Sequence, residues 1–186
     1  MIADLTAGPF FGAALLLVAG GAAKLRRPAP AARALTAARI PGGTTSARAI
    51  GSTEIAAGTA AMLAPTVGTA ALVTSLYVAF AVFVAAVASG RVLTPSCGCL
   101  GERDTPASLL HAVLDLLAAA VALIAVVWQP RSLPTMVSSS PLNGVLFLLG
   151  VSLIAYLAYL AAAYVPELFF SYRRSMVTAA PDRARG

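Results

Sequence analysis

Charged residues are scarce in this sequence. They make up 11% of its 186 residues, whereas hydrophobic residues make up 59%. A soluble domain carries roughly 25% charged residues and about 45–50% apolar ones. The scarcity of charge therefore excludes an ordinary soluble domain and indicates an integral membrane protein that folds as one bundle in the lipid bilayer.

Acidic residues are rarer still, at 7 against 13 basic ones. The basic excess is confined to two segments outside the apolar runs, and no recognised nucleic-acid-binding motif accompanies it. Basic residues in these places are typical of membrane orientation, and nucleic acid is excluded as a partner.

Five apolar runs predict an all-α membrane bundle of about five transmembrane helices. A span takes about 20 apolar residues, and the last three runs meet that standard. The first run is long enough if its helix begins near Ile2, and the second is long enough if it extends back through Ser46–Ala49. The second run then turns at Pro65 directly into the third, which predicts a tight helical hairpin. The runs are Gly8–Ala23, Ile50–Ala64, Val67–Ala88, Leu109–Trp128 and Leu142–Tyr164.

The positions of the basic residues predict a multi-pass protein of the cell membrane with a defined orientation. Segment Lys24–Arg48 carries six basic residues and no acid, and the tail from Arg173 onwards carries four more. Both segments are expected to be cytoplasmic, which places the N-terminus outside and the C-terminus in the cytoplasm. The bundle is then expected to occupy residues 1–172, and the basic tail, residues 173–186, to be disordered.

Few ionisable residues interrupt the apolar runs, so each is a candidate for function. Glu54 lies in the second run, and His111 and Asp115 lie four residues apart on one face of the fourth. Lys24 ends the first helix. With the predicted orientation, all four occupy the membrane layer next to the segment that carries the cysteines.

Structural and catalytic roles are both open for these four residues. Lys24 and Glu54 are suited to an interfacial ion pair that holds two helices in register, with Lys24 able to reach water. His111 and Asp115 are suited to a hydrogen-bonded pair between helices. The catalytic alternative makes Glu54, His111 or Asp115 the group that receives the proton of a thiol, a task that fits histidine because its ordinary pKa is about 6.5.

Cysteine is rare as well, and both cysteines stand in one short stretch, TPSCGCLGERDTP. Cys97 and Cys99 are separated by Gly98, whose backbone freedom relaxes a tight ring, while Pro95 and Gly101 bracket the pair. A thiolate attacks a disulfide and a second thiol resolves the mixed disulfide, so two neighbouring cysteines can supply both groups. The pair therefore indicates thiol–disulfide exchange, for which the sequence requires no cofactor.

Two other uses of the cysteine pair remain open. Two thiolates favour a soft metal such as Cu(I), whereas zinc needs four ligands, and only His111 and acidic groups could complete such a set. A structural disulfide is the other alternative, although a cytoplasmic location disfavours it. A non-enzymatic subunit that anchors a partner complex, or a carrier of soft metal or sulfur compounds, is the corresponding alternative function.

Three motifs together resemble the methylamine utilisation protein MauE family, within the DoxX-like group of four-helix membrane bundles. They are KL at the end of the first helix, STEIAAG around Glu54, and CGCLG between the third and fourth helices. The resemblance covers about residues 8–128, with the extra fifth helix at about 142–164 outside this core. The family usually has phenylalanine where this chain has Leu100. Carried over by position, the resemblance points to Lys24, Glu54, Cys97, Cys99 and Gly101.

The resemblance implies thiol–disulfide exchange during maturation of an extracytoplasmic protein, with a thioredoxin-like redox partner. Such a client lies outside, whereas the predicted orientation places the cysteine segment in the cytoplasm. Either the cysteines take electrons from the cytoplasm and pass them through the bundle, or the orientation is the reverse of the one predicted. The fifth helix and the tail lie beyond the family core, which favours contacts with a larger membrane complex particular to this chain.

Overall fold

The described part of the protein is all-helical. A computed structural model describes residues 2–92, 108–139 and 141–179, with side chains for residues 6–92, 108–138 and 142–165. These residues contain no strand, and the all-α prediction is confirmed. The helices are α1 (Ile2–Arg26), α2 (Ala29–Ala37), α3 (Gly43–Leu63), α4 (Val67–Ala88), α5 (Leu109–Val127), α6 (Leu133–Ser139) and α7 (Pro141–Ala179).

Four of these helices are long and apolar enough to cross a membrane. The apolar segments are Thr6–Arg26 of α1, Val67–Ala88 of α4, Leu109–Val127 of α5 and Leu142–Val165 of α7. They correspond to four of the five predicted runs. The protein is therefore a multi-pass membrane protein folded as a helical bundle.

The remaining predicted crossing, the second run, corresponds to α3, which has the length of a span without its apolar composition. It runs for 21 residues, but its first half carries hydroxyl side chains and the exposed Arg48, and it is not among the four apolar spans. At its end the chain turns through Pro65 into α4, as predicted, and Thr66 caps the new helix by accepting a hydrogen bond from the backbone N–H of Thr69.

Helices α1 and α3 pack in opposite directions with their backbones almost touching. A Cβ atom on Gly51 would lie 2.8 Å from the carbonyl oxygen of Gly21, and one on Gly58 would lie 2.5 Å from that of Ala14. Small residues permit this approach, which is how helices associate in lipid, where packing replaces the hydrophobic effect. Although its composition is too polar for a span, α3 thus forms a full leg of the bundle.

The remaining legs alternate in direction. Val84, near the end of α4, packs against Ala112, near the start of α5. Helix α7 starts at the opposite end, where Phe147 packs edge-on against Phe11 of α1 with ring centroids 6.1 Å apart. Ala162, further along α7, reaches the first turn of α5. Helices α1, α4 and α7 therefore run one way, and α3 and α5 run back.

The two ends of this bundle differ in character. At the hairpin end, where α3 turns into α4, the core is apolar and includes the fully buried Phe10, Phe11 and Val73. The other end, where α1 and α4 finish and α5 begins, is called the loop end here. The buried charged side chains Lys24 and Glu54 lie towards the loop end.

Helix α7 continues well beyond its apolar segment. It remains helical to Ala179, whereas the sequence predicted a disordered tail from Arg173 onwards. No glycine or proline lies between Arg173 and Ala179. Pro181 disfavours a helical conformation of the residue before it, which accounts for an end of the helix near this point. Residues 180–186 lie outside the described residues.

Candidate functional site

A buried ion pair joins α1 to α3 near the loop end. The ammonium nitrogen Nζ of Lys24 lies 2.8 Å from Oε1 and 2.9 Å from Oε2 of Glu54. Nζ donates a hydrogen bond to Oε2, and Oε1 is held by charge alone. The two side chains are only 7% and 1% exposed. Two of the residues singled out from the sequence are therefore in direct contact, and Lys24 is shielded from water rather than reaching it.

The glycines between α1 and α3 make room for this pair. A Cβ atom on Gly51 would lie 3.1 Å from the Cβ of Lys24, and one on Gly21 would lie 3.0 Å from the Cβ of Glu54. The side chains of the ion pair thus leave their helices where the backbones are closest. A short separation favours a short, well-aligned contact, which a buried pair needs to offset the loss of its hydration.

Helix α4 supplies two aromatic neighbours of the ion pair. Nζ of Lys24 lies 5.4 Å from the ring centroid of Phe80, within the range of a cation–π contact. The buried hydroxyl of Tyr77 donates a 2.6 Å hydrogen bond to the carbonyl oxygen of Ala13 on α1. A hydroxyl in a membrane interior needs such an internal partner, so this bond fixes α4 against α1.

His111 occupies the first turn of α5 at the loop end. Its Nδ1 lies 2.9 Å from Oγ of Ser108, the residue at which the described chain resumes. The ring also interacts with the backbone of Ala162, although Nε2 completes no well-formed hydrogen bond within the described residues. The hydrogen bond that Nδ1 makes thus goes to a residue of its own turn, and Asp115 lies one turn further along the same face.

One cavity unites the four ionisable side chains. It has a volume of about 240 Å³ and lies between α1, α3, α4, α5 and α7. Apolar side chains form most of its wall, and polar residues contribute the remainder. Those polar residues are Lys24, Glu54, Tyr77, His111, Asp115 and Tyr159. The convergence inferred from sequence spacing is thus present as a shared cavity.

The cysteine segment attaches to the bundle at this same end. Cys97, Gly98, Cys99 and Gly101 all lie between Val92 and Ser108, outside the described residues. The helices on either side of the segment, α4 and α5, pack closely against each other and both contribute to the cavity wall. In the sequence, the thiols therefore lie between two helices that both line the polar cavity.

The described residues contain no cluster of three or more histidine, cysteine, aspartate or glutamate side chains that could hold a metal ion. Lys24 fills the position beside Glu54 that a cation would take. Because both cysteines lie outside the described residues, the soft-metal alternative for that pair is unaffected.

Comparison with known proteins identifies the family. Residues 3–129 match the family described as methylamine utilisation protein MauE, which is more than half of the chain. The chain belongs to the MauE family. The matched region runs from α1 to just beyond α5, as the CGC, KL and STEIAAG motifs predicted. No curated protein and no solved structure matches this MauE family chain.

Several neighbours of the site were not predicted from the sequence. Tyr77 could have been found, because a phenol in an apolar span needs a hydrogen-bond partner, and Phe80 lies three residues away on the same helix face. Tyr159 lies in α7, outside the family match, and only the packing of α7 against α1 and α5 brings it to the cavity.

Proposed function

We propose that this MauE family protein is a membrane thiol–disulfide redox protein in which Cys97 and Cys99 carry out the exchange. The observation that carries the proposal is the polar cavity at the loop end, between the helices that the cysteine segment connects. Structural helices have little reason to bury ionisable side chains together, because each is costly in lipid. A redox site has such a reason, since thiol chemistry needs groups that take up and return protons.

The exchange uses one cysteine as the attacking thiolate and the other as the resolving thiol. The thiolate attacks a partner disulfide, a mixed disulfide forms, and the second thiol releases the partner as a dithiol while the Cys97–Cys99 disulfide closes. The exchange is reversible, and disulfide formation in a client runs it backwards: the partner's thiols reduce the Cys97–Cys99 disulfide and leave as a disulfide. The proton lost by the attacking thiol passes to one of the cavity groups. His111 is favoured because it lies three residues beyond Ser108, whereas Glu54 is already engaged by Lys24. Asp115 is the next ionisable group on the same face.

The proposed partner is a thioredoxin-like redox protein, and the proposed role is disulfide formation or maturation of an extracytoplasmic client. This assignment follows from membership of the MauE family and from the paired cysteines. Helix α7 lies outside the family match and presents leucines along its outer face, among them Leu149 and Leu153. We assign to α7 the contact with a larger membrane complex.

Trapping of the mixed disulfide tests the redox assignment. Cys97→Ser and Cys99→Ser each remove one thiol, so the variant that retains the attacking cysteine should accumulate a covalent adduct with a thioredoxin-like partner. The adduct should appear on a non-reducing gel, disappear with dithiothreitol, and be absent from the double cysteine variant.

Ser89→Ala, in the turn after α4, is the matched control and should leave the adduct pattern of the parent unchanged.

The alternative function, a non-enzymatic subunit that anchors a partner complex, gains support from the observed Lys24–Glu54 contact, because that contact would stabilise a bundle of any purpose. Full activity in Cys97→Ser, together with no reducible adduct in either single variant, would favour that alternative. Binding of one copper ion by the reduced cysteine pair would favour the other alternative, a carrier of soft metal.

The orientation that we propose has the N-terminus outside and the loop end in the cytoplasm. Helices α1 and α7 run in the same direction, so the exposed Arg26, Arg33 and Arg39 lie at the end towards which the basic tail also runs.

After reduction in intact cells, Cys97 and Cys99 should resist an impermeant maleimide until the membrane is opened. A cysteine introduced at Ser138, exposed in α6 at the hairpin end, should react from outside. Labelling of Cys97 in sealed cells would reverse the orientation.

A further inference from the structure

The cavity at the loop end has the lining of a site for an amphipathic ligand. Leu16, Leu17 and Val121 contribute apolar wall, and the polar groups described above occupy the remainder. Its volume of about 240 Å³ falls below the range of about 300–1,000 Å³ usual for drug-sized ligands. A single substituted ring fits such a space, provided that the rest of the molecule lies elsewhere.

The wall of the cavity reaches the lipid-facing surface between α5 and α7. Leu117 of α5 and Ile154 of α7 both line the cavity, yet they are 59% and 40% exposed at the bundle surface. The two helices contact each other at few positions, and each packs more extensively elsewhere, α5 on α4 and α7 on α1. A ligand with a long apolar chain can therefore place its ring in the cavity and leave its chain in the bilayer.

The charges around the cavity disfavour an anionic lipid as the occupant. Lys24, the buried lysine or arginine of the described side chains, is already matched by Glu54 at 2.8 Å, and Asp115 adds another carboxyl group to the wall. A fatty acid or the headgroup of an anionic phospholipid would bring a negative charge to this place, where Lys24 is already neutralised by Glu54. A neutral ring that carries hydrogen-bond acceptors avoids that cost.

Donors and aromatic surfaces suited to such a ring are present. Tyr159 lines the cavity, and no hydrogen bond joins its hydroxyl to a residue in the described ranges. The rings of Tyr77 and Phe80 form part of the same wall and pack edge-on against each other, with centroids 6.4 Å apart. A flat ring with carbonyl oxygens can accept the hydroxyl proton and stack on aromatic carbon.

We propose that this cavity binds the ring of a lipid-soluble isoprenoid quinone, which enters between α5 and α7. The proposal rests on the thiol–disulfide function proposed above, in the direction that forms the partner's disulfide. In that direction the partner's two thiols reduce the Cys97–Cys99 disulfide, and the quinone is the electron acceptor that restores it. The two thiols of Cys97 and Cys99 lose two protons and two electrons as their S–S bond forms. The quinone takes up both and becomes the quinol, so atoms and electrons balance without any other reagent.

Quinone binding is tested by filling the cavity. Ala158 of α7 lines it, whereas its neighbour Leu157 is 54% exposed and does not. The full-length protein in nanodiscs is irradiated with a photoreactive azido-ubiquinone, and labelled peptides are identified by mass spectrometry. Labelling of α5 and α7 should occur in the parent and in Leu157→Trp, should be suppressed by excess decylubiquinone, and should be lost in Ala158→Trp.

The double variant Cys97→Ser/Cys99→Ser separates this proposal from the redox function. It should label like the parent, because no described wall residue is changed. Where Ala158→Trp does not elute as a folded bundle, Ala158→Leu provides a smaller obstruction, and its labelling should fall in proportion to the space lost. Labelling that persists in both Ala158 variants, or that decylubiquinone does not suppress, overturns the cavity as a quinone site.

Electron transfer is measured anaerobically with the reduced protein and decylubiquinone. The parent and Leu157→Trp should lose both thiols, seen as loss of a maleimide-polymer shift, and should form one quinol per pair. Ala158→Trp should keep its thiols reduced. Suppressible labelling without thiol loss in the parent would leave the binding site in place and overturn the redox role of the quinone. Failure of the mixed-disulfide trap, by contrast, would overturn the proposed function alone.

Discussion

Replacing Glu54 by glutamine alone should destabilise the bundle by about 3–5 kcal/mol, the cost of removing one partner from a buried ion pair. The sequence placed Lys24 near water, where its ammonium group could escape. The structure leaves its side chain only 7% exposed, so the full cost is expected. The contact of Lys24 with Phe80, worth about 0.5–2 kcal/mol, is present in the parent as well and therefore does not replace the lost carboxylate.

The double variant Glu54→Gln/Lys24→Met should recover most of this loss, because it removes both buried charges together. Stability is measured by reversible unfolding in mixed micelles at rising SDS fraction, for the parent, both single variants and the double variant. The cycle should give a coupling free energy of opposite sign to the single losses. Ser52→Ala, an exposed change on the same helix, is the control and should be nearly neutral. Additive single losses would contradict a coupled pair.

The same variants test whether Glu54 carries a proton during the reaction. A purely structural pair predicts that the double variant recovers activity along with stability. A proton carrier predicts a folded but slow double variant, in which the pH profile of Cys97 alkylation differs from that of the parent. Restored activity with an unchanged pH profile of Cys97 alkylation would contradict a proton-carrying role for Glu54. His111 and Asp115 would then remain as the candidates for proton transfer.

Substitution of Gly58 by alanine should also be strongly destabilising, by about 1–3 kcal/mol, although alanine favours helix over glycine by about 1 kcal/mol. The new Cβ would lie 2.5 Å from the carbonyl oxygen of Ala14 and 2.8 Å from Cγ2 of Val18. The carbonyl oxygen cannot move far, because it belongs to the backbone of α1. Helices α1 and α3 would therefore separate.

Gly150→Ala is the matched control for this prediction. Gly150 also lies inside a helix, but a Cβ atom there would have no neighbour within 4 Å. The control should be neutral or slightly stabilising by the same unfolding measurement, since only the helix preference remains. Equal effects of the two substitutions would show that α1 and α3 do not pack as described. Gly58→Ala should also weaken the Lys24–Glu54 coupling, since both belong to one helix interface.

Membership of the all-α membrane class followed from the sequence because composition alone determines it. Runs of about 20 apolar residues can satisfy their backbone groups in lipid only as helices, so the spans at Val67–Ala88 and Leu109–Val127 needed no tertiary information. The CGC, KL and STEIAAG motifs predicted the MauE family, and the family match confirmed it. The helical end of α7 was not predicted, since weak local preferences decide whether a polar tail is ordered.

The contacts of the site depended on information that local sequence does not contain. Spacing placed Lys24, Glu54, His111 and Asp115 in one membrane layer, because a helix rises by a constant amount per residue. Which of them touch was decided by the rotation of each helix about its axis, and that rotation is set by packing. The glycine contact between α1 and α3 turned Lys24 onto Glu54 and away from water. The arrival of α7 beside α5 then closed a cavity around them, because side chains distant in sequence can meet only after the legs of the bundle have packed.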